Sequence, residues 1–205
     1  MTVIVVANPK GGVGKSTFAT NLAGGLAQRG HAVLLGDLDR QQSSAQWLAL
    51  RPPHLPTIQA WRVDRDNLER PPKGTSHAVL DTPASLYGKR LDAVLRVADK
   101  VLVPLQPSLF DIQAIHAFLQ EVLAHRRAGK LELAVIGMRV KDHTNAAEQL
   151  RQFLDTLEVP VIGQLRDTQN YVQLAAHGLT VWDVAPSRVE RDLPQWPDIL
   201  DWAEA

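Results

Sequence analysis

The run Lys10-Gly11-Gly12-Val13-Gly14-Lys15-Ser16-Thr17 follows directly on the apolar stretch Val3 to Ala7. Residues of these types in this order make a cradle for a triphosphate. The glycine-rich turn lets backbone N–H groups converge on phosphate oxygens, and the helix after it turns the positive end of its dipole toward the same anion. In such a loop Lys15 reaches the β- and γ-phosphates, and the hydroxyl of Ser16 serves as a ligand for Mg²⁺. Asp37, Asp39 and Asp81 each close an apolar run that reads as a strand. Ligands of open α/β sheets bind beyond the carboxyl ends of the strands, where these acids would stand. Carboxylates beside a triphosphate repel it unless a cation lies between, so the clustering implies Mg²⁺. Asp37 and Asp81 are expected to hold it through water and Ser16 directly.

The general phosphate-loop pattern, G-x-x-x-x-G-K-[ST], would place glycine where this chain has Pro9, and the next residue is a second lysine, Lys10. A lysine at the start of the loop cannot easily fold back onto phosphates already enclosed by Gly11 to Lys15. Its ammonium is expected to point outward.

Strand-like apolar runs alternate with helical periodicity along the whole chain, which is the sequence form of a mostly parallel sheet covered on both faces. The strands are expected at Val3 to Ala7, His31 to Leu38, Thr57 to Trp61, His77 to Leu80, Lys100 to Pro104, Leu133 to Met138 and Val159 to Ile162. Helices are expected at Ser16 to Arg29, ended by Gly30, at Gln46 to Leu50, at Leu86 to Val97, and after a Ser108 cap along Ile112, Ile115, Leu119 and Val122. Two more follow at Thr144 to Leu157 and from about Tyr171 to His177. Arg62 to Ser76 reads as surface loop with at most one helical turn. Pro194 and Pro197 prevent Ser187 to Ala205 from forming one unbroken helix.

At 205 residues the chain suits one substantial core, and the expectation is a single α/β domain over residues 1–205. It has no cysteine, which excludes disulfides, thiolate metal sites and iron–sulfur ligation. No stretch approaches the roughly 20 apolar residues that cross a bilayer, and Met1 leads straight into a strand without a signal sequence, so a cytoplasmic protein is expected. Basic and acidic residues number 22 each, so no global field draws the chain to nucleic acid, and any DNA binding must come from a local patch.

The KGGxGK[ST] loop resembles the deviant Walker A ATPases, the family of ParA and MinD. Asp37-Leu38-Asp39-Arg40-Gln41 resembles its D-x-D-P-Q, with Arg40 in place of proline. Asp81-Thr82-Pro83-Ala84-Ser85 is similar to its DTPPS, and Val103 to Ser108 with Asp111 to its VPVQPS. Ala175, Ala176, Gly178, Leu179 and Val181 resemble its A-x-x-x-G-L-x-V run, so the resemblance extends from Val3 to about Trp182. The chain departs at Met138-Arg139, where the family often has Asn-Arg to meet the adenine edge. Here Met138 could pack on the ring and Arg139 could stack, or both could be ordinary core and surface. The nitrogenase iron protein and the iron–sulfur carriers share the loop but depend on cysteine, and are excluded.

The resemblance implies a P-loop ATPase with ATP and Mg²⁺ as cofactors. It gives Asp39 the task of orienting the attacking water, and it places Lys10 in the nucleotide site of a second subunit, so that ATP closes a homodimer. It further implies non-specific DNA binding near the nucleoid, hydrolysis triggered by a ParB-like or adaptor protein, and a cargo such as a plasmid, a chromosome origin or a protein cluster. Arg126, Arg127, Lys130, Arg139, Lys141 and Arg151 are open as phosphate contacts or as solvated surface charges. The resemblance favours Arg166, Arg188 and Arg191, toward the C-terminal part. With its first strand at the second residue, the chain is expected to lack an N-terminal helix-turn-helix extension, as the short or orphan ParA-like proteins do. Three alternatives stand beside this reading. A MinD-like membrane switch would need a basic amphipathic tail, whereas this one carries Glu190, Asp192, Asp198, Asp201 and Glu204. A tyrosine kinase of the same loop family would carry a terminal tyrosine cluster, and only Tyr87 and Tyr171 occur. The third is a nucleotide-binding module with little turnover. Trp182, Trp196 and Trp202 are expected to pack the tail against the sheet.

Overall fold

The structure of the protein, a computed structural model, describes residues 1–64 and 68–205, with the backbone alone for 109–113. Its strands are β1 (Thr2–Val6), β2 (Val33–Asp37), β3 (Ile58–Trp61), β4 (His77–Asp81), β5 (Lys100–Leu105), β6 (Glu132–Val140) and β7 (Val161–Arg166). They form one seven-stranded parallel sheet in the order β3-β2-β4-β1-β5-β6-β7. Parallel strands covered on both faces must be apolar on both, and every residue of β2, β4 and β5 is buried. On β1 the alternation divides the core, with Val3 and Val5 packing to one side and Ile4 and Val6 to the other.

The Ile4 face is covered by α1 (Lys15–Gln28), α2 (Ser43–Leu50), α6 (Gln169–Ala175) and α7 (Pro197–Glu204), through Phe18, Leu22, Trp47, Leu174, Ile199 and Leu200. The Val3 face is covered by α3 (Gly88–Val97), α4 (Leu109–Leu123) and α5 (Asn145–Leu154), through Leu91, Val94, Ile115, Phe118 and Leu150. The tail is broken into 3₁₀ turns at Pro186–Arg188 and Leu193–Gln195 before α7, as its prolines require. Trp196 is fully buried, stacks on Phe18 with ring centroids 5.4 Å apart, and donates its indole N–H to the Tyr171 hydroxyl at 3.1 Å. Trp182 meets it edge-on at 6.0 Å, so the aromatic tail is part of the core.

Most elements lie where expected with bounds shifted by up to three residues, such as β6, which extends to Val140, and α5, which ends at Leu154, and two of the differences have a clear cause. The last strand, expected at Val159 to Ile162, begins at Val161 and runs four residues beyond Ile162, because Gln164 and Arg166 continue the ladder through irregular pairing with Gly137 and Val140. Helix α2 begins at Ser43 and not at Gln46, for a reason that lies in the site described below. The expected loop over Arg62 to Ser76 includes residues 65–67, which lie outside the described residues, as do the side chains of Asp111 and Ile112.

Position in the sheet brings the expected site residues together. Asp81 is in register with Val6 on one neighbouring strand and with Asp37 on the other, so two carboxylates and the start of the glycine loop share one edge. From β1 the chain passes to β2 on one side of the sheet, and from the adjacent β4 it crosses to β5 on the other, so the crevice where α/β sheets bind ligands opens between the ends of β1 and β4.

Candidate nucleotide-binding site

The glycine loop connects β1 to α1 and is held from three sides. Asn8, fully buried, donates from Nδ2 to the Pro104 carbonyl at 2.6 Å and accepts the Lys10 N–H on Oδ1 at 2.7 Å. Gln106 donates to the Gly12 carbonyl at 2.9 Å, and the Ser85 N–H donates to the Pro9 carbonyl at 2.8 Å. Gly14, at φ +95°, makes the left-handed turn into the first residue of the helix. The two lysines of the loop are placed differently. Lys15 is buried and its Nζ donates to the Lys10 carbonyl at 2.9 Å. Burial lowers its pKa, opposed by the nearby charges of Asp81 and Asp39. Lys10 is half-buried, and its ammonium makes no hydrogen bond or ion pair among the described residues.

Asp37 ends β2 and caps α2 from seven residues upstream. Its Oδ2 accepts the N–H groups of Ser44 at 2.9 Å and Ala45 at 3.1 Å, and its Oδ1 accepts the Asp39 N–H at 2.9 Å. That cap satisfies the first donors of α2 and starts the helix earlier than its own sequence suggests. Ser44 completes the link by donating its hydroxyl to Asp81 Oδ2 at 2.7 Å. Asp81 is fully buried, and its Oδ1 has no hydrogen-bond partner among the described residues. Burial pushes its pKa up to about 6 against the opposing hydroxyls of Ser16 and Ser44. A buried carboxylate oxygen left without a donor suits a hydrated cation, so the residues present fit Mg²⁺. Among the described residues no group of three or more acidic or histidine side chains could hold a metal ion by itself. Bound Mg²⁺ would therefore draw on phosphate oxygens and water together with Ser16 and these carboxylates.

Asp39 is half-buried at the rim, accepting the Gln41 N–H on Oδ1 at 3.0 Å. The segment is braced by Gln42, whose side-chain amide donates to the carbonyls of Asp39 at 2.7 Å and Asp37 at 3.1 Å, while Arg40 is exposed. Beside the loop, a cavity of about 220 Å³ lies between Gly14 and Thr17, Met138 and Arg139, and Leu165 to Gln169. It is large enough for a purine ring. Met138 is buried there and offers a polarizable apolar surface, and Arg139 is exposed at φ +52°.

Of Arg166, Arg188 and Arg191, Arg166 is the one whose side chain pairs with the buried Asp192. Arg166 donates from Nε to Asp192 Oδ1 at 2.5 Å, and Asn170 bridges Asp192 Oδ2 at 2.6 Å and the Arg188 carbonyl at 3.4 Å. The charge of Arg166 is thus matched inside the protein, and Arg188 and Arg191 are the exposed members. Sequence reasoning did not find Asn8, Gln42 or Ser44. Nothing in their local pattern marks them, whereas Gln106 lies inside a segment whose resemblance was legible.

Residues 4–181 match the CobQ/CobB/MinD/ParA nucleotide binding domain family. The chain is 38% identical over 131 residues to a maintenance of carboxysome distribution protein A of Gloeobacter kilaueensis, covering 60% of each chain, which is less than two thirds of that relative's length. It is 26% identical over 188 residues to the protein of the same name from Halothiobacillus neapolitanus, covering 88% of this chain and 87% of the relative. The fold is similar, with a TM-score of 0.76 at 19% identity, to a plasmid partition protein of Borrelia burgdorferi bound to AMPPNP, covering 98% of this chain and 97% of the other. With the glycine loop, the paired strand-end carboxylates and the matched 178-residue span in agreement, the chain belongs to the CobQ/CobB/MinD/ParA family of nucleotide-binding domains.

Proposed function

We propose that the protein is a Mg²⁺-dependent ATPase that works as a dimerising switch, adheres to DNA without regard to sequence in its ATP state, and positions a large cargo. The observation that carries this reading is the division of labour between Lys15, buried within the loop, and Lys10, half-buried with its ammonium unpaired among the described residues. A cation in that place is complementary to the triphosphate of a facing subunit, which would make nucleotide binding and assembly one event. In this reading Lys15 and the loop amides hold the phosphates and the cavity beside Met138 takes adenine. Ser16, Asp37 and Asp81 hold Mg²⁺, which supplies charge neutralisation at the transferring phosphoryl group when bound. Asp39, at the rim, orients water.

Arg188 and Arg191 give a small exposed basic patch that a dimer presents twice, and Arg166 supports it from within. No helix among the described residues is long and apolar enough to cross a membrane, and α7 turns Ile199, Leu200 and Ala203 inward. In this reading the protein works in the cytoplasm and at the nucleoid, with a ParB-like or adaptor partner that stimulates hydrolysis. The names of the relatives point to a carboxysome or a plasmid as the kind of assembly moved.

Retention on random-sequence DNA, measured with ATP, with ADP and without nucleotide at low and moderate salt, tests the reading. ATP alone is expected to support retention, and the retention should fall steeply with salt because phosphate contacts release counterions. Retention independent of nucleotide, or absent at every salt concentration, would contradict it.

A further inference from the structure

Arg51 directly follows α2, and Asp183 lies in the segment between α6 and the tail. They form an ion pair sealed from solvent, with side chains 5% and 0% exposed, Nη1 2.8 Å from Oδ2 and Nη2 3.1 Å from Oδ1. The remaining donors are used as well. Arg51 reaches the Pro56 carbonyl at 3.3 Å and the Gly178 carbonyl at 3.4 Å, and its guanidinium lies 5.5 Å from the centre of the Trp47 ring. Asp183 accepts the N–H and the hydroxyl of Thr180 at 2.7 and 2.6 Å. Burial pushes its carboxyl upward, but Arg51 and Thr180 outweigh that and hold it below the usual range. Trp47 adds a bond from its indole N–H to the Leu179 carbonyl at 3.3 Å. Gly178 lies so close that a Cβ would stand 2.5 Å from the Leu50 carbonyl carbon.

The C-terminal end of α2 is thus fastened to the 178–183 segment by a bidentate pair, and its N-terminal end holds the two carboxylates of the nucleotide site. The helix is a single rod of eight residues, about 12 Å at 1.5 Å per residue. A buried ion pair adds little net stability relative to apolar packing, but it fixes geometry closely when all its donors are used. We propose that Arg51 and Asp183 are positioning residues that set the axial placement of α2, so that the Ser44 and Ala45 N–H groups on Asp37 and the Ser44 hydroxyl on Asp81 keep both carboxylates in the arrangement that receives Mg²⁺. The proposal rests on the nucleotide-site reading above, and it gives the glycine-containing run after α6 a part in that site.

The test is equilibrium binding of a fluorescent ATP analogue to the full chain with and without Mg²⁺, for the unaltered protein, Arg51→Lys, Asp183→Asn and Leu150→Ala. Leu150 is fully buried in α5 on the opposite face, and its truncation lowers stability without touching the clamp. The unaltered protein is expected to gain at least tenfold in affinity from Mg²⁺. The clamp variants should lose most of that gain and keep their Mg²⁺-free affinity, while Leu150→Ala keeps the gain. Folded clamp variants with the full gain, or a Leu150→Ala protein that loses as much, would overturn the clamp and leave the nucleotide site standing. An unaltered protein that gains nothing from Mg²⁺ overturns both. Should the clamp variants not fold, hydrogen exchange on the unaltered protein decides. Mg²⁺ with nucleotide must slow the Ser44, Ala45 and Thr180 amides together, and slowing of the first two alone counts against the clamp.

Discussion

The hydroxyl of Ser44 stands 2.7 Å from Asp81 Oδ2, so the first turn of α2 holds a carboxylate on a strand two positions along the sheet order from β3, while the other oxygen of Asp81 is buried without a donor among the described residues. One bond thereby orients the side chain and leaves its other oxygen as the acceptor that the proposed Mg²⁺ site would use.

Replacing that carboxylate should therefore stabilise the nucleotide-free protein. Asp81 ionises near pH 6 when folded and near 3.8 when unfolded. Between those values the folded chain keeps a proton that the unfolded chain releases, so stability falls as pH rises through the window and the penalty is complete above it. A shift of about two units corresponds to about 3 kcal/mol. Asp81→Asn should gain on that order in urea unfolding at pH 7.5 and much less at pH 4.5, and it should bind the ATP analogue no better with Mg²⁺ than without. An equal gain at both pH values would count against the burial argument.

Much of the candidate site could be read from the sequence as a local pattern, and the exceptions have a physical cause. The glycine loop, the strand-end acids and the alternation of strands and helices are local patterns. The early start of α2 is not, because its cap is Asp37, seven residues upstream and across a turn, with Gln42 itself in the left-handed region at φ +52°. Asn8 and Ser44 are ordinary polar residues until a parallel register sets Asp37 beside Asp81 and the Pro104 carbonyl within reach of β1's end. The last strand was placed too early because its later half alternates with polar residues at the sheet edge, where one face needs no apolar side chain.

Gly178 carries a constraint that alanine cannot meet. It sits at φ +68°, and an added Cβ would lie within 2.7 Å of the Leu50 carbonyl carbon, the Arg51 nitrogen and the Leu50 oxygen, all of them backbone atoms. Gly178→Ala should cost more than about 2 kcal/mol in chemical denaturation, combining left-handed strain with a backbone clash. A loss within about 0.5 kcal/mol would show that the 178–183 segment does not press on α2 as described.

Trp196 ties the tail to the sheet. Truncation to alanine should cost about 3–5 kcal/mol, as for other large buried aromatics. Trp196→Phe should recover most of that loss, short of the bond to Tyr171. Thermal unfolding followed by circular dichroism checks both, and a Trp196→Ala protein as stable as the original would mean that the tail is not part of the core.

The central claim is that nucleotide binding and assembly are one event through Lys10. Its most direct test is light scattering of the protein with Mg²⁺ and either ATP or ADP, alongside Lys10→Ala and Asp39→Ala. If Lys10 couples the two, the unaltered protein dimerises with ATP only, Asp39→Ala stays a dimer, and Lys10→Ala is a monomer that still binds ATP. A Lys10→Ala protein that dimerises with ATP as the original does would contradict it.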